Sequence, residues 1–147
     1  MKTRQLHAYM ATAKIFADLS YARKLKVGAI VVKDNRIISI GYNGTIEGAD
    51  NNCEDVIDYH EDGTEILQTK PEVIHAEMNC IGKLASSVES GLGSTMFVTH
   101  APCLDCAKGI YQSGIREVYY DSEYKNDHGI QFLKKCKIRV GKLVCDS

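Results

Sequence analysis

Two short stretches of the chain group side chains that could do chemistry together. The first is Pro102-Cys103-Leu104-Asp105-Cys106. Two thiolates three positions apart can clamp one zinc ion, and a helix starting there favours their ionised form through its dipole and free N–H groups. Taken alone, the pair is equally open to a redox couple or to two cysteines packed in a core. The second stretch is His75-Ala76-Glu77, which also stands where a helix opens. A lone histidine is usually solvated or hydrogen-bonded, and a glutamate in a first turn usually compensates the helix dipole. It is the combination that raises both.

His75, Cys103 and Cys106 offer three ligands and leave a fourth tetrahedral position for water, as a catalytic zinc requires. Zinc lowers the pKa of such a water, so that hydroxide is available near neutral pH. Glu77 lies two residues beyond His75 and need not share its helix face. It could reach the water and a substrate without ligating the metal, and shuttle protons between them. The opposing reading is a structural zinc with a fourth protein ligand, Cys80, His100 or Cys53, which would leave Glu77 idle. Cys80, five residues beyond His75, is accounted for by burial on the apolar face of its helix.

These residues need a frame, and the composition bounds it. The chain has 147 residues, 44% hydrophobic and 25% charged, which predicts one domain over 1–147 with a core of its own. Eighteen basic against nineteen acidic residues give a formal net charge of −1, so nothing global marks a nucleic-acid or membrane binder. The start MKTRQLHAYM lacks a signal peptide's apolar stretch, and no apolar run approaches a membrane span. Cytoplasmic residence is the expectation, and in a reducing compartment the six cysteines read as metal ligands or buried side chains.

Leu6, Met10, Ala13 and Phe16/Ala17 recur at helical spacing, which predicts a helix over 4–18. Val27 to Val32 and Arg36 to Ile40, around the turn pair Asp34-Asn35, predict a hairpin. The stretch 41–72 is long and polar; such a segment is usually functional or carries short structure of its own. Helices are expected over 75–87, 103–113 and 128–136, and strands over 95–99, 116–120 and 137–144. Strand–helix alternation favours parallel pairing with helices covering the sheet. The expected fold is therefore an α/β three-layer sandwich on a mixed five-stranded sheet.

His-x-Glu, a gap, then Pro-Cys-x-x-Cys is the signature of zinc deaminases. From about residue 4 to residue 144 the chain resembles the deoxycytidylate (dCMP) deaminase family, within the cytidine deaminase-like fold. The likeness is carried by Lys26-Val27-Gly28-Ala29-Ile30-Val31-Val32-Lys33, Gly41-Tyr42-Asn43-Gly44, His75-Ala76-Glu77-Met78-Asn79 and Pro102-Cys103-Leu104-Asp105-Cys106-Ala107-Lys108. Tyr124-Lys125-Asn126-Asp127 sits where the family has a loop near the substrate phosphate. The resemblance implies hydrolysis of dCMP to dUMP and ammonia, one catalytic zinc per chain, and a homo-oligomer, often a hexamer. It also implies activation by dCTP with magnesium and inhibition by dTTP around the Gly-Tyr-Asn-Gly loop.

Asn43 and Gly44 are accordingly expected at a nucleotide, with Ala76 and Tyr124 lining substrate or effector; an ordinary Asn-Gly turn is the plainer reading of the loop. Arg23 and Lys24, with Lys26, form the best basic cluster for a phosphate, although charge clusters are usually solvated surface. Two departures stand out. Ile46 occupies a position where the family often has proline, and Ala22, Arg23 and Lys24 stand where some phage members place a cysteine for a second zinc, so no second metal is expected. Cys136 and Cys145 read as small buried hydrophobes. In the 45–70 stretch, Asp50, Asn51, Asn52, Cys53, Glu54 and Asp55 suit nucleotide or magnesium contacts as well as an ordinary solvated insertion. The alternatives in function are a deaminase of cytidine, guanine or tRNA adenosine, or a catalytically silent zinc- or nucleotide-binding module.

Overall fold

The computed structural model describes residues 1–144. Helix α1 (Thr3–Ala17) buries Met10, Ala13 and Ala17, the i, i+3, i+7 stripe that makes a helix amphipathic. Strands β1 (Gly28–Lys33) and β2 (Arg36–Tyr42) form the expected hairpin. Its turn residues Asp34 and Asn35 have φ of 50° and 60°, the left-handed pair that lets a two-residue turn follow the twist of its strands.

The polar stretch 41–72 is not a single loop. Its second half folds into a separate antiparallel hairpin, β3 (Glu54–Tyr59) and β4 (Glu65–Thr69). In β3 one buried residue, Glu54, is followed by five exposed ones, so no two-residue alternation announces a strand. Among the described residues this hairpin pairs with no other strand.

Helix α2 (Ala76–Ala85) leads to β5 (Thr95–His100), followed by α3 (Leu104–Gln112), β6 (Glu117–Ser122), α4 (His128–Lys135) and β7 (Arg139–Lys142). The main sheet runs β2-β1-β5-β6-β7. Strand β1 is antiparallel to β2 and β5, whereas β5, β6 and β7 are mutually parallel. Alternate residues of the central strands feed two cores. Ile30, Val32 and Phe97 pack with Met10 and Ala13 of α1. Ala29, Val31, Met96 and Val98 belong with Cys80 and Leu84 of α2, Ile110 of α3 and Leu133 of α4 in the other. Each large side chain so enclosed contributes roughly 1.5–3 kcal/mol. The mixed five-stranded sheet between helical layers is the arrangement expected from the strand–helix alternation.

Two glycines seat the segments that carry the chemistry. A Cβ on Gly41 of β2 would lie 2.5 Å from both the Ala76 carbonyl oxygen and the Cys80 nitrogen; without it, α2 lies directly on the strand. Ser39 Oγ secures the same contact by donating to the Cys80 carbonyl at 2.7 Å. A Cβ on Gly129, at the start of α4, would lie 2.1 Å from the Pro102 carbonyl oxygen and 2.8 Å from that of Cys103. Cys80 is fully buried and Cys136 packs half-buried against the same core, while Cys145 lies outside the described residues. Among the described residues no helix is long and apolar enough to cross a membrane.

Candidate active site

The chemistry-bearing residues stand at the beginnings of two helices. His75 is the N-cap of α2 and Cys103 the N-cap of α3, which opens just beyond the carboxyl end of β5. Open α/β sheets gather ligand sites outside the carboxyl ends of their strands. The Cys103 sulfur accepts the Cys106 backbone N–H at 3.5 Å, so one thiol caps the helix while the second rises from its first turn. His75 Nδ1 lies 3.6 Å from Cys103 Sγ and 3.4 Å from Cys106 Sγ.

Tetrahedral zinc with Zn–N of about 2.0–2.1 Å and Zn–S of about 2.3 Å sets ligand N···S separations near 3.5 Å. The donor set therefore fits that ion. Among the described residues the cluster consists of these three alone; Cys80, His100 and Cys53 stand outside it, so the geometry favours an open fourth position.

Charge within the trio is uneven. The Cys106 thiol and the His75 ring hold Cys103 down to about 4. The Cys103 sulfur, together with burial, pushes Cys106 strongly upward. The hydrogen bond to Cys103 raises His75. Helix N-termini favour the ionised form of a thiol, and the thiolate is the form that binds zinc. Glu77, in the first turn of α2, is 4% exposed. Burial pushes its carboxyl up to about 6, against the opposing pull of its own backbone N–H and of His75. A carboxyl poised there exchanges protons readily near neutral pH.

These groups open on a cavity of about 540 Å³. The ends of the two helices supply His75, Ala76, Glu77, Ala101 and Cys103, with His100 from β5. Burial depresses the pKa of His100. A second wall comes from the irregular segment before β1, through Ala22, Lys24, Leu25 and Val27, with Asn43 beside it. The β3–β4 hairpin adds Cys53, Glu54, Gln68 and Thr69, and the loop after β6 adds Glu123, Tyr124 and Lys125.

The segment before β1 has no ladder of its own, and side chains from elsewhere satisfy its backbone. Asn43 Nδ2 donates to the Leu25 carbonyl at 2.7 Å, and Asn43 Oδ1 accepts from the Val27 N–H at 2.9 Å. Ser20 Oγ donates to the Asn43 carbonyl at 2.7 Å and accepts from Ala22 N–H at 3.1 Å. Glu54 Oε2 accepts from the backbone N–H groups of Arg23 and Lys24 at 2.9 and 3.0 Å.

Of the residues singled out in the sequence, His75, Ala76, Glu77, Cys103, Lys24, Asn43 and Tyr124 line the cavity, and Cys106 completes the trio beside it. Arg23 and Gly44 are not brought there. The Arg23 guanidinium turns to acidic neighbours, with Nε 3.6 Å from Glu54 and Nη1 3.9 Å from Glu65, while Nη2 donates to Asn52. Gly44 exchanges backbone hydrogen bonds with Ile74 at 3.1 and 2.8 Å, which fixes the chain entering α2. Cys53 and Glu54, from the polar run 50–55, also line the cavity, whereas Gln68, Thr69 and Val73 were not readable as wall residues. Only the polar run around Glu54 hinted at a role, and it did not distinguish one residue from another.

Comparison with known proteins agrees with this arrangement. The model of the cytidine and deoxycytidylate deaminase zinc-binding region matches residues 3–122. The chain is 40% identical over 121 residues to ComE operon protein 2 of Bacillus subtilis, covering 80% of this chain and 59% of that protein. It is 38% identical over 122 residues to the deoxycytidylate deaminase of Homo sapiens, covering 81% and 65%. It thus spans about three fifths of the length of these curated relatives. Among solved structures, the dCMP deaminase of cyanophage S-TIM5 in complex with dCMP and dUMP superposes with a TM-score of 0.86 at 44% identity, covering 97% of this chain and 99% of that one.

Proposed function

The chain belongs to the family of cytidine and deoxycytidylate deaminases with a zinc-binding region, and from that premise we propose that it hydrolyses dCMP to dUMP and ammonia. The observation that carries this reading is the cluster of His75, Cys103 and Cys106 at the edge of a cavity that the buried carboxyl of Glu77 also lines. The likeness to the cyanophage enzyme, which was captured with dCMP and dUMP, supports a pyrimidine deoxynucleotide as the substrate.

His75, Cys103 and Cys106 would hold zinc, which when bound supplies Lewis-acid activation of a water near neutral pH. The proton work falls to Glu77. Its carboxylate takes a proton from the attacking water and passes it to the ring nitrogen beside the reacting carbon. It then accepts the proton of the added oxygen and delivers it to the amino group, whose bond to carbon breaks as ammonia leaves. One water is consumed, and Glu77 ends in the state in which it began. Lys24 would receive the substrate phosphate, and Ala76 and Tyr124 would line the nucleotide.

The proposal extends to activation by dCTP with magnesium, inhibition by dTTP, and a homo-oligomer, with a hexamer favoured. Its test is ammonia release from dCMP by the zinc-loaded protein, with dCTP and magnesium present and absent. Glu77→Gln should lower turnover by at least about 100-fold while zinc content stays at that of the unsubstituted protein. A folded, zinc-bearing protein that releases no ammonia from dCMP under either condition refutes the reading.

A further inference from the structure

Glu54 is even more enclosed than Glu77, 1% exposed against 4%, and the proposed chemistry does not use it. Its two oxygens have different fates. Oε2 accepts both the Arg23 and the Lys24 backbone N–H. Oε1 accepts no hydrogen bond among the described residues, and Arg23 Nε, at 3.6 Å, is beyond hydrogen-bond range. That separation still makes an ion pair, so this buried carboxyl joins the backbone of two consecutive basic residues to the guanidinium of the first.

The geometry points to Glu54 as a positioning residue for the substrate phosphate, selecting which of two adjacent basic side chains serves the cavity. The inference rests on the dCMP reading above. Glu54 draws the Arg23 guanidinium toward the β3–β4 hairpin, where Glu65 and Asn52 engage its other nitrogens. The same carboxyl grips the Lys24 backbone N–H, and Lys24 lines the cavity where Arg23 does not. The choice has chemical content. A guanidinium would grip a phosphate bidentately in a fixed plane, whereas an ammonium acts as a compact, rotatable charge. With Lys24 in the cavity, the phosphate is held by charge and the nucleotide is left free to settle its base against Glu77.

The experiment is a double-substitution cycle read by steady-state kinetics on dCMP with the zinc-loaded full chain. Lys24→Ala should raise KM about tenfold or more, the weight of a hydrogen bond to a charged group, with kcat within about twofold. It should also remove most of the rise of KM with ionic strength. Glu54→Ala should reproduce this pattern, and Glu54→Ala with Lys24→Ala should be no worse than Lys24→Ala alone, because both act on one contact. Glu54→Gln, which keeps an oxygen for the two N–H groups but gives up the charge facing Arg23, should raise KM less than Glu54→Ala does. Arg23→Ala should affect KM less than Lys24→Ala does.

The inference is overturned if the Glu54 and Lys24 effects multiply, if Glu54→Ala lowers kcat or zinc content with KM unchanged, or if Arg23→Ala carries the larger KM effect. Should Glu54→Ala fail to fold, Glu54→Asp, which withdraws the acceptor by one methylene, takes its place with the same outcomes. If the unsubstituted protein does not deaminate dCMP, the functional reading itself has failed and this inference falls with it.

Discussion

A single methyl group at Gly129 tests whether the helix start of α4 and the cysteine turn form one rigid unit. In Gly129→Ala the new Cβ would meet the Pro102 carbonyl oxygen at 2.1 Å, the Cys103 oxygen at 2.8 Å and the Cys103 carbonyl carbon at 2.9 Å. All three are backbone atoms, so no side chain can swing aside. Relief to an ordinary contact of about 3 Å or more requires relative movement of nearly an ångström. Cys103 is the residue displaced, and its sulfur stands 3.6 Å from His75 Nδ1, close to the spacing one zinc ion requires.

Overpacking of this kind costs about 1–3 kcal/mol of stability. Disturbing the support of a ligand costs about 10- to 100-fold in metal affinity. Gly129→Ala should therefore weaken zinc binding by that factor in a competition titration against a chromophoric chelator, and lower the melting temperature. Gly82, in α2, supplies the control, since nothing lies within 4 Å of a Cβ placed there. Gly82→Ala should leave zinc affinity unchanged and stabilise the fold by about 0.5–1 kcal/mol. Zinc affinity within threefold of normal in Gly129→Ala, with an unchanged melting temperature, would refute the claim that this contact sets the position of Cys103.

Burial and hydrogen bonding in the site lead to two further expected outcomes. Burial raises the Glu77 carboxyl from 4.5 to about 6, a difference worth about 2 kcal/mol. The folded chain holds that proton more tightly than the unfolded chain, so the contribution is complete below the unfolded value and is lost as pH rises through the folded one. Metal-free Glu77→Gln should accordingly exceed the metal-free parent by about 2 kcal/mol near pH 8 and by little near pH 4 in urea unfolding; equal gains at both pH values would remove ionisation as the cause. Asn43→Ala deletes the bonds to Leu25 and Val27 and should cost about 1–3 kcal/mol, whereas a change below about 0.5 kcal/mol, the level of an ordinary surface substitution, would show that the segment holds its shape without them.

The parts of this molecule that could be read in the sequence are those whose logic is local. The Asp34-Asn35 turn, the stripe of α1, the two-residue step from His75 to Glu77 and the three-residue step from Cys103 to Cys106 are all contained within a few positions. The likeness of whole segments to known deaminases supplied the rest of the functional expectation. The β3–β4 hairpin was not legible, because a strand with one buried residue and five exposed ones carries no alternation. Arg23 and Lys24 looked interchangeable as charges. What separates them is a carboxyl some thirty positions away, an arrangement that exists only once the chain has folded.

The detachment of the β3–β4 hairpin from the main sheet divides the molecule into parts of unequal cooperativity. An isolated pair of strands is marginal by itself, and this one exposes Val56, Ile57 and Tyr59, whereas β5 is buried along most of its length between β1 and β6. Amide hydrogens of β5 should exchange only through global unfolding, and those of the hairpin through local opening at far lower free energy. His75, Glu77, Cys103 and Cys106 therefore stand on helices packed on the main sheet, while Gln68 and Thr69 belong to the hairpin outside it. The part of the cavity wall built by the hairpin can thus open locally without loosening the helix starts that carry His75, Glu77 and Cys103.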